Sequence, residues 1–155
     1  WRLADNIGGP LTHLHGPVPD RLGPEGAQGL ATRIARVFDA LRPDMVLERF
    51  NWTIQAGPDR FIPDGAPARA IAEAAPLASA RDLLHLRVER QTIRRLPKTG
   101  AVLFTIRVAT DPLSAVFAAP GAKAALDRAW RGAPMRVRVY KKWASYERLM
   151  AAACA

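Results

Sequence analysis

The chain has 155 residues and a single cysteine, Cys154. One thiol excludes an internal disulfide framework and any zinc or iron–sulfur site built from cysteines of this chain. No apolar run approaches the roughly 20 residues that a membrane helix requires, so no membrane span is expected. The opening Trp1-Arg2-Leu3-Ala4-Asp5 lacks the basic start and apolar stretch of a signal peptide, which makes the cytoplasm the expected location. There is no Gly-rich phosphate loop, no Walker motif, no G-x-S-x-G and no H-E-x-x-H. Acidic residues number 14, and no pair of them stands at an obvious catalytic spacing. A starting Met is also missing, and the chain reads as a piece of something longer.

What is present is a surplus of positive charge. Lys and Arg total 23, giving a formal net charge of +9. Arg outnumbers Lys 19 to 4 and there are 29 Ala, a skew that a GC-rich coding sequence produces without functional cause. The charge is nonetheless uneven. Residues 87–107 hold six basic residues and one acid, and residues 128–148 hold seven and one. A basic face can meet nucleic acid, an acidic protein or an anionic cofactor. Aromatic interleaving and nucleic-acid motifs are absent, so nucleic acid is not the expected partner. At 49% hydrophobic and 24% charged, the composition is that of one ordinary globular domain over 1–155 with a real core.

Residues 1–26 are rich in Gly and Pro and read as loop or short turns. Leu30, Ile34, Val37, Phe38 and Leu41 then form one apolar stripe, which predicts a helix over 27–41 ended by Arg42-Pro43. Residues 45–56 alternate as a strand, with Phe50, Trp52 and Ile54 on one face and Arg49, Asn51 and Thr53 on the other. Residues 57–81 have no firm period and read as an exposed loop with at most a short helix. A strand is expected at 83–96, a hairpin loop at Pro97-Lys98-Thr99-Gly100, and a return strand at 101–109. Two helices complete the chain, about 113–131 with a break at Pro120-Gly121, and about 135–153. The minimum architecture is α+β: a three-stranded antiparallel sheet with flanking helices.

Two features carry candidate chemistry. The first is the histidine pair in Thr12-His13-Leu14-His15-Gly16-Pro17, whose rings point to opposite sides if the segment is extended. Joint chelation of one metal is therefore disfavoured, but a haem iron with one proximal imidazole needs no second protein ligand. The ordinary alternative is a surface or hydrogen-bonded histidine. The second is the row Arg87, Glu89 and Gln91 along one strand face. Such a row is commonly the solvent side of a half-buried sheet. In a pocket, a carboxylate beside arginines stays ionised and can hold an ammonium group.

Three segments together resemble the haem-binding subunit of the haem-dependent oxidative N-demethylases. They are Leu14-His15-Gly16-Pro17-Val18-Pro19, Arg49-Phe50-Asn51-Trp52-Thr53-Ile54, and Leu86 to Arg107 (LRVERQTIRRLPKTGAVLFTIR). The resemblance implies a PAS-like domain that binds haem b, here a partial one whose upstream strands are absent. It also implies oxidation of dimethylamine, with O2, to methylamine and formaldehyde, the electrons coming through a separate reductase. Carried over by motif, His15 is the expected axial ligand of the iron. Glu89, in Arg87-Val88-Glu89-Arg90-Gln91, is expected at the substrate and oxygen site, with Gln91 adding a hydrogen bond there. Charge and strand direction, rather than the motif, place Arg49 and Arg87 at the haem propionates as an expectation. One departure stands out: Ile106-Arg107-Val108-Ala109-Thr110 replaces an expected Ile-Arg-Thr-Tyr-Leu, which removes an aromatic hydroxyl and bears on the substrate more than on the fold.

Two other readings compete with an enzyme: a haem-binding PAS-like sensor without turnover, and a haem-free scaffold domain. A Soret band after haem reconstitution separates the first two from the third. Any iron–sulfur centre in the electron path must sit on a partner chain. The basic stretches could dock an acidic reductase, a contact that salt would screen.

Overall fold

A computed structural model describes residues 36–155. The described residues divide into two compact units, 36–47 with 92–105, and 48–91 with 106–155. Three long strands form one antiparallel sheet in the order β1-β2-β3: β1 is Val46–Ala56, β2 is Leu84–Arg95 and β3 is Val102–Pro112. The expected α+β sheet with flanking helices is what forms.

Within the first unit, residues 36–40 are helical and Leu41 is buried. Arg95 gathers the end of that helix. Its Nε donates to the Leu41 carbonyl at 2.8 Å and its Nη2 to the Phe38 carbonyl at 2.5 Å. A guanidinium suits this position because the last carbonyls of a helix lack internal donors and carry partial negative charge. The hairpin loop closes as expected. Leu96 donates to Ala101 at 2.8 Å, and Gly100 donates back to Leu96 at 2.9 Å with φ of +70°, a conformation that favours glycine.

The second unit holds the principal core. Ile54, Ala56 and Leu84 of the sheet pack with Leu113, Leu126, Trp130, Trp143, Tyr146, Leu149 and Met150. The stretch read as exposed loop with at most a short helix, 57–81, is largely helical after residue 65. It contains α1 (Ala66–Ala74), a single 3-10 turn at Leu77–Ser79, and the start of α2 (Ala80–Leu83). Its buried contacts are made by Ala72 and Ala80. Alanine favours helix but leaves no stripe of large side chains, so no period was visible. The Asp64 carboxylate accepts the Ala66 N–H at 2.9 Å, and Pro67 sits in the first turn, where its missing donor costs nothing.

After the sheet come α3 (Leu113–Phe117) and α4 (Ala122–Arg131), broken at Pro120-Gly121 as expected. The predicted continuous helix over 135–153 is in fact three pieces. They are α5 (Met135–Tyr140), a 3-10 turn at Trp143–Tyr146, and α6 (Glu147–Cys154). The break is Lys142, whose φ of 53° is left-handed and cannot continue a right-handed helix. The consequence is visible in the stripe Val139, Trp143, Tyr146, Met150: Val139 is 56% exposed, whereas the other three are buried.

The turn at Lys142 delivers Trp143 into the core. Its ring stacks on Trp130 at 4.2 Å between centroids and lies 5.0 Å from Trp52. The Arg138 guanidinium sits 5.0 Å above Trp130 and donates to the Trp130 carbonyl at 2.7 Å. Trp143 also donates from Nε1 to Thr53 Oγ1 at 3.0 Å, which ties the post-helix segment to β1. Trp143→Ala should therefore cost about 3–5 kcal/mol, the usual range for emptying a buried aromatic site. Urea unfolding checks this, and a loss below about 1 kcal/mol would mean that the stack does not anchor the unit.

Candidate functional site

Strand alternation places Arg49 and Asn51 of β1 on the same sheet face as Arg87, Glu89 and Gln91 of β2. Antiparallel pairing brings Arg49 beside Gln91 and Asn51 beside Glu89. Arg49 Nε donates to Gln91 Oε1 at 2.6 Å, and Asn51 Nδ2 donates to Glu89 Oε2 at 3.3 Å. Gln91 Nε2 donates to the same Glu89 oxygen at 2.9 Å. Arg87 Nε donates to the other one, Oε1, at 3.1 Å, while its Nη1 donates to the Arg60 carbonyl at 2.9 Å. Four of the residues singled out by sequence thus form one connected set. Arg90, also a possible partner for Glu89, pairs with Glu48 instead.

Lys141, which sequence reasoning did not place here, completes the set. Its Nζ donates to Asn51 Oδ1 at 2.8 Å and to the Trp52 carbonyl. It reaches β1 because α5 ends at this residue and the Lys142 turn follows. No local pattern could have announced this contact, since 90 residues separate Lys141 from Asn51. Asn51 was visible on the polar face of β1, but not its position between a cation and a carboxylate.

The set has a definite chemical direction. Lysine and arginine only donate hydrogen bonds, and a carboxylate only accepts them. The Asn51 amide therefore has its oxygen on Lys141 and its nitrogen on Glu89. The Gln91 amide is fixed the same way between Arg49 and Glu89. Each amide carries a cation's donor through to one carboxylate, and Arg87 reaches that carboxylate directly. Glu89 is only partly exposed, 21% for its side chain against 16% for that of Arg87, and Gln91 is buried. Among the described residues no buried side-chain N or O atom lacks a partner. A carboxylate has about four acceptor sites; three carry these bonds, so among the described residues one acceptor site, on Oε1, has no donor.

His15, the candidate axial ligand, and His13 lie outside the described residues. His85 shares the face of Glu89 but is 8% exposed, and its Nδ1 donates to the Leu83 carbonyl at 3.0 Å. A separate shallow cleft of about 270 Å³ is lined by Phe61, Ile62, Pro67, Ala68, Ile71 and Leu83 among others, and by none of the polar set.

Burial lowers the pKa of Lys141 from its ordinary value of 10.5, and the negative charge of Glu89 partly opposes the shift. Two outcomes follow for a titration of the Lys141 ammonium followed by NMR of its Nζ. It should lose its proton below pH 10.5, and Glu89→Gln should lower the midpoint further, because the raising charge is gone. A midpoint that rises in Glu89→Gln would contradict the pairing of these two groups through Asn51.

A family model described as haem-dependent oxidative N-demethylase, alpha subunit-like, matches residues 1–151. Among the described residues, no helix is long and apolar enough to cross a membrane.

Proposed function

This chain belongs to the haem-dependent oxidative N-demethylase alpha subunit-like family, and we propose that it serves oxidative N-demethylation of a small secondary amine of the dimethylamine type. Membership carries haem dependence and the existence of other subunits. The amine, haem b as the haem type, and a reductase subunit as electron source are our reading. So is a cytoplasmic location.

The described residues fit one polar edge of a haem site rather than a whole one. Arg49 and Arg87 are cations suited to propionate carboxylates. The 270 Å³ cleft is lined by none of these residues. We assign iron binding to His15, whose neutral imidazole would hold the metal. Haem b, when bound, supplies O2 binding and the oxidising equivalents for the N-methyl group. The chain's own contribution is to hold the amine.

A small secondary amine is cationic at neutral pH, and taking it out of water needs a nearby anion. Glu89 is the carboxylate of the polar set, and its remaining acceptor site on the Oε1 side suits one N–H of the amine. Asn51 and Arg87 hold the carboxylate in place. Gln91, held by Arg49, orients the second oxygen and contributes a polar group beside the oxygen site. The observation that carries this reading is the convergence of three donors on Glu89 in a chain of this family.

Two experiments test it. With haem-loaded protein, His15→Ala should abolish or strongly alter the Soret band, whereas His13→Ala and His85→Ala should not; bleaching by His85→Ala alone would overturn the ligand assignment. Glu89→Gln should keep the haem content and lower kcat/KM for dimethylamine by the worth of a charge-assisted hydrogen bond, about 1.5–3 kcal/mol. Full haem loading with unchanged turnover would remove Glu89 from the substrate site.

A further inference from the structure

We propose that Lys141 is a positioning residue for Glu89, acting through the Asn51 amide, so that removing the lysine's charge weakens the binding of a cationic amine. This rests on the reading of Glu89 as the amine's anchor. The sign is what makes the inference specific. Simple Coulomb reasoning says the opposite: deleting a cation near the carboxylate should favour a second cation there.

The geometry argues for positioning over charge. Lys141 meets no oxygen of Glu89 directly; its Nζ is spent on Asn51 Oδ1 and the Trp52 carbonyl. Its effect on Glu89 is therefore to anchor the far end of the Asn51 amide that donates to it. With the ammonium in place, only the amide oxygen can face Lys141, and the Nδ2 donor is directed at Glu89 Oε2 at 3.3 Å. Without it, Asn51 Oδ1 loses its donor and the amide is held at the Glu89 end alone, so the long Nδ2 bond at 3.3 Å no longer fixes the carboxylate in place.

Lys141 is itself held from both sides. Its backbone N–H donates to the Val137 carbonyl at 2.9 Å at the end of α5, and two residues later Trp143 is locked between Trp130 and Trp52. The Trp143 ring centroid is 5.9 Å from Lys141 Nζ. The other charged groups of the set are Arg87, which pairs with Oε1, and Arg49, which acts on Oε2 through Gln91; the lysine stands behind the Asn51 bond to that same oxygen. The Lys142 turn and the tryptophan stack thereby gain a role beyond packing: they hold Lys141 at β1.

The test is calorimetric titration of the haem-loaded protein with dimethylammonium chloride in the absence of electron donor. Lys141→Met, which keeps the stem and removes the charge, should weaken binding roughly tenfold, an effect of the size expected for one hydrogen bond to a charged group. Lys141→Arg, which restores a donor-only cation, should recover most of it. In a Glu89→Gln background, Lys141→Met should have little further effect. Parent-like or tighter binding by Lys141→Met overturns the proposal. If that variant does not fold, Asn51→Leu serves instead: a similar loss supports the relay, and unchanged affinity overturns it. Glu89→Gln alone reports on the underlying reading. If it binds normally while Lys141→Met binds weakly, the anchor assignment fails and the relay fails with it; if it binds weakly while Lys141→Met binds normally, only the relay fails.

Discussion

The carboxylate of Glu89 is the acceptor on which a whole sheet face is organised. Two amides and a guanidinium donate to it, and behind the amides stand two further cations, Arg49 and Lys141. Donor-only groups lie at the outer ends and an acceptor-only group at the centre, so each amide has one permitted orientation. An apolar side chain at position 89 would leave three donors short of an acceptor in a partly buried setting, which costs more than the bonds themselves contribute. The same density of donors makes the carboxylate a fixed anion rather than a mobile one. A binding site for a small cation needs that property, because a methylated amine offers little else to grip.

The rest of the second unit keeps this face in register. The tryptophan stack of residues 52, 130 and 143 joins β1 to the segments after the sheet. Trp143 enters it only because Lys142 breaks the helix. One left-handed residue thus has two consequences: a large aromatic is buried on one side, and on the other Lys141 is set against Asn51. Leu149 and Met150 of α6 are buried in the same core.

The strands were legible because their period is strong. Arg49, Asn51 and Thr53 against Phe50, Trp52 and Ile54 gave β1 both its extent and its faces, and the β2–β3 hairpin announced itself through Pro97-Lys98-Thr99-Gly100. Arg87, Glu89 and Gln91 could be grouped from alternation alone. Two errors have definite causes. Alanine at 72 and 80 packs without producing an apolar stripe, so α1 and α2 stayed hidden in a Pro- and Ala-rich stretch. The stripe from Val139 to Met150 has helical spacing although the backbone does not stay helical, because nothing in a lysine at 142 signals positive φ. Lys141 itself was illegible for a topological reason: its partner lies on a strand 90 residues earlier.

The family to which the chain belongs supplies the haem dependence, and the Glu89 set supplies an anion held in a fixed place. Their connection is the central claim, and a crystal structure of the haem-loaded protein soaked with dimethylammonium tests it most directly. The amine nitrogen should lie within hydrogen-bond distance of Glu89 on its Oε1 side, with the bonds from Asn51, Gln91 and Arg87 retained. An amine bound elsewhere, with Glu89 meeting only its protein donors, would contradict it.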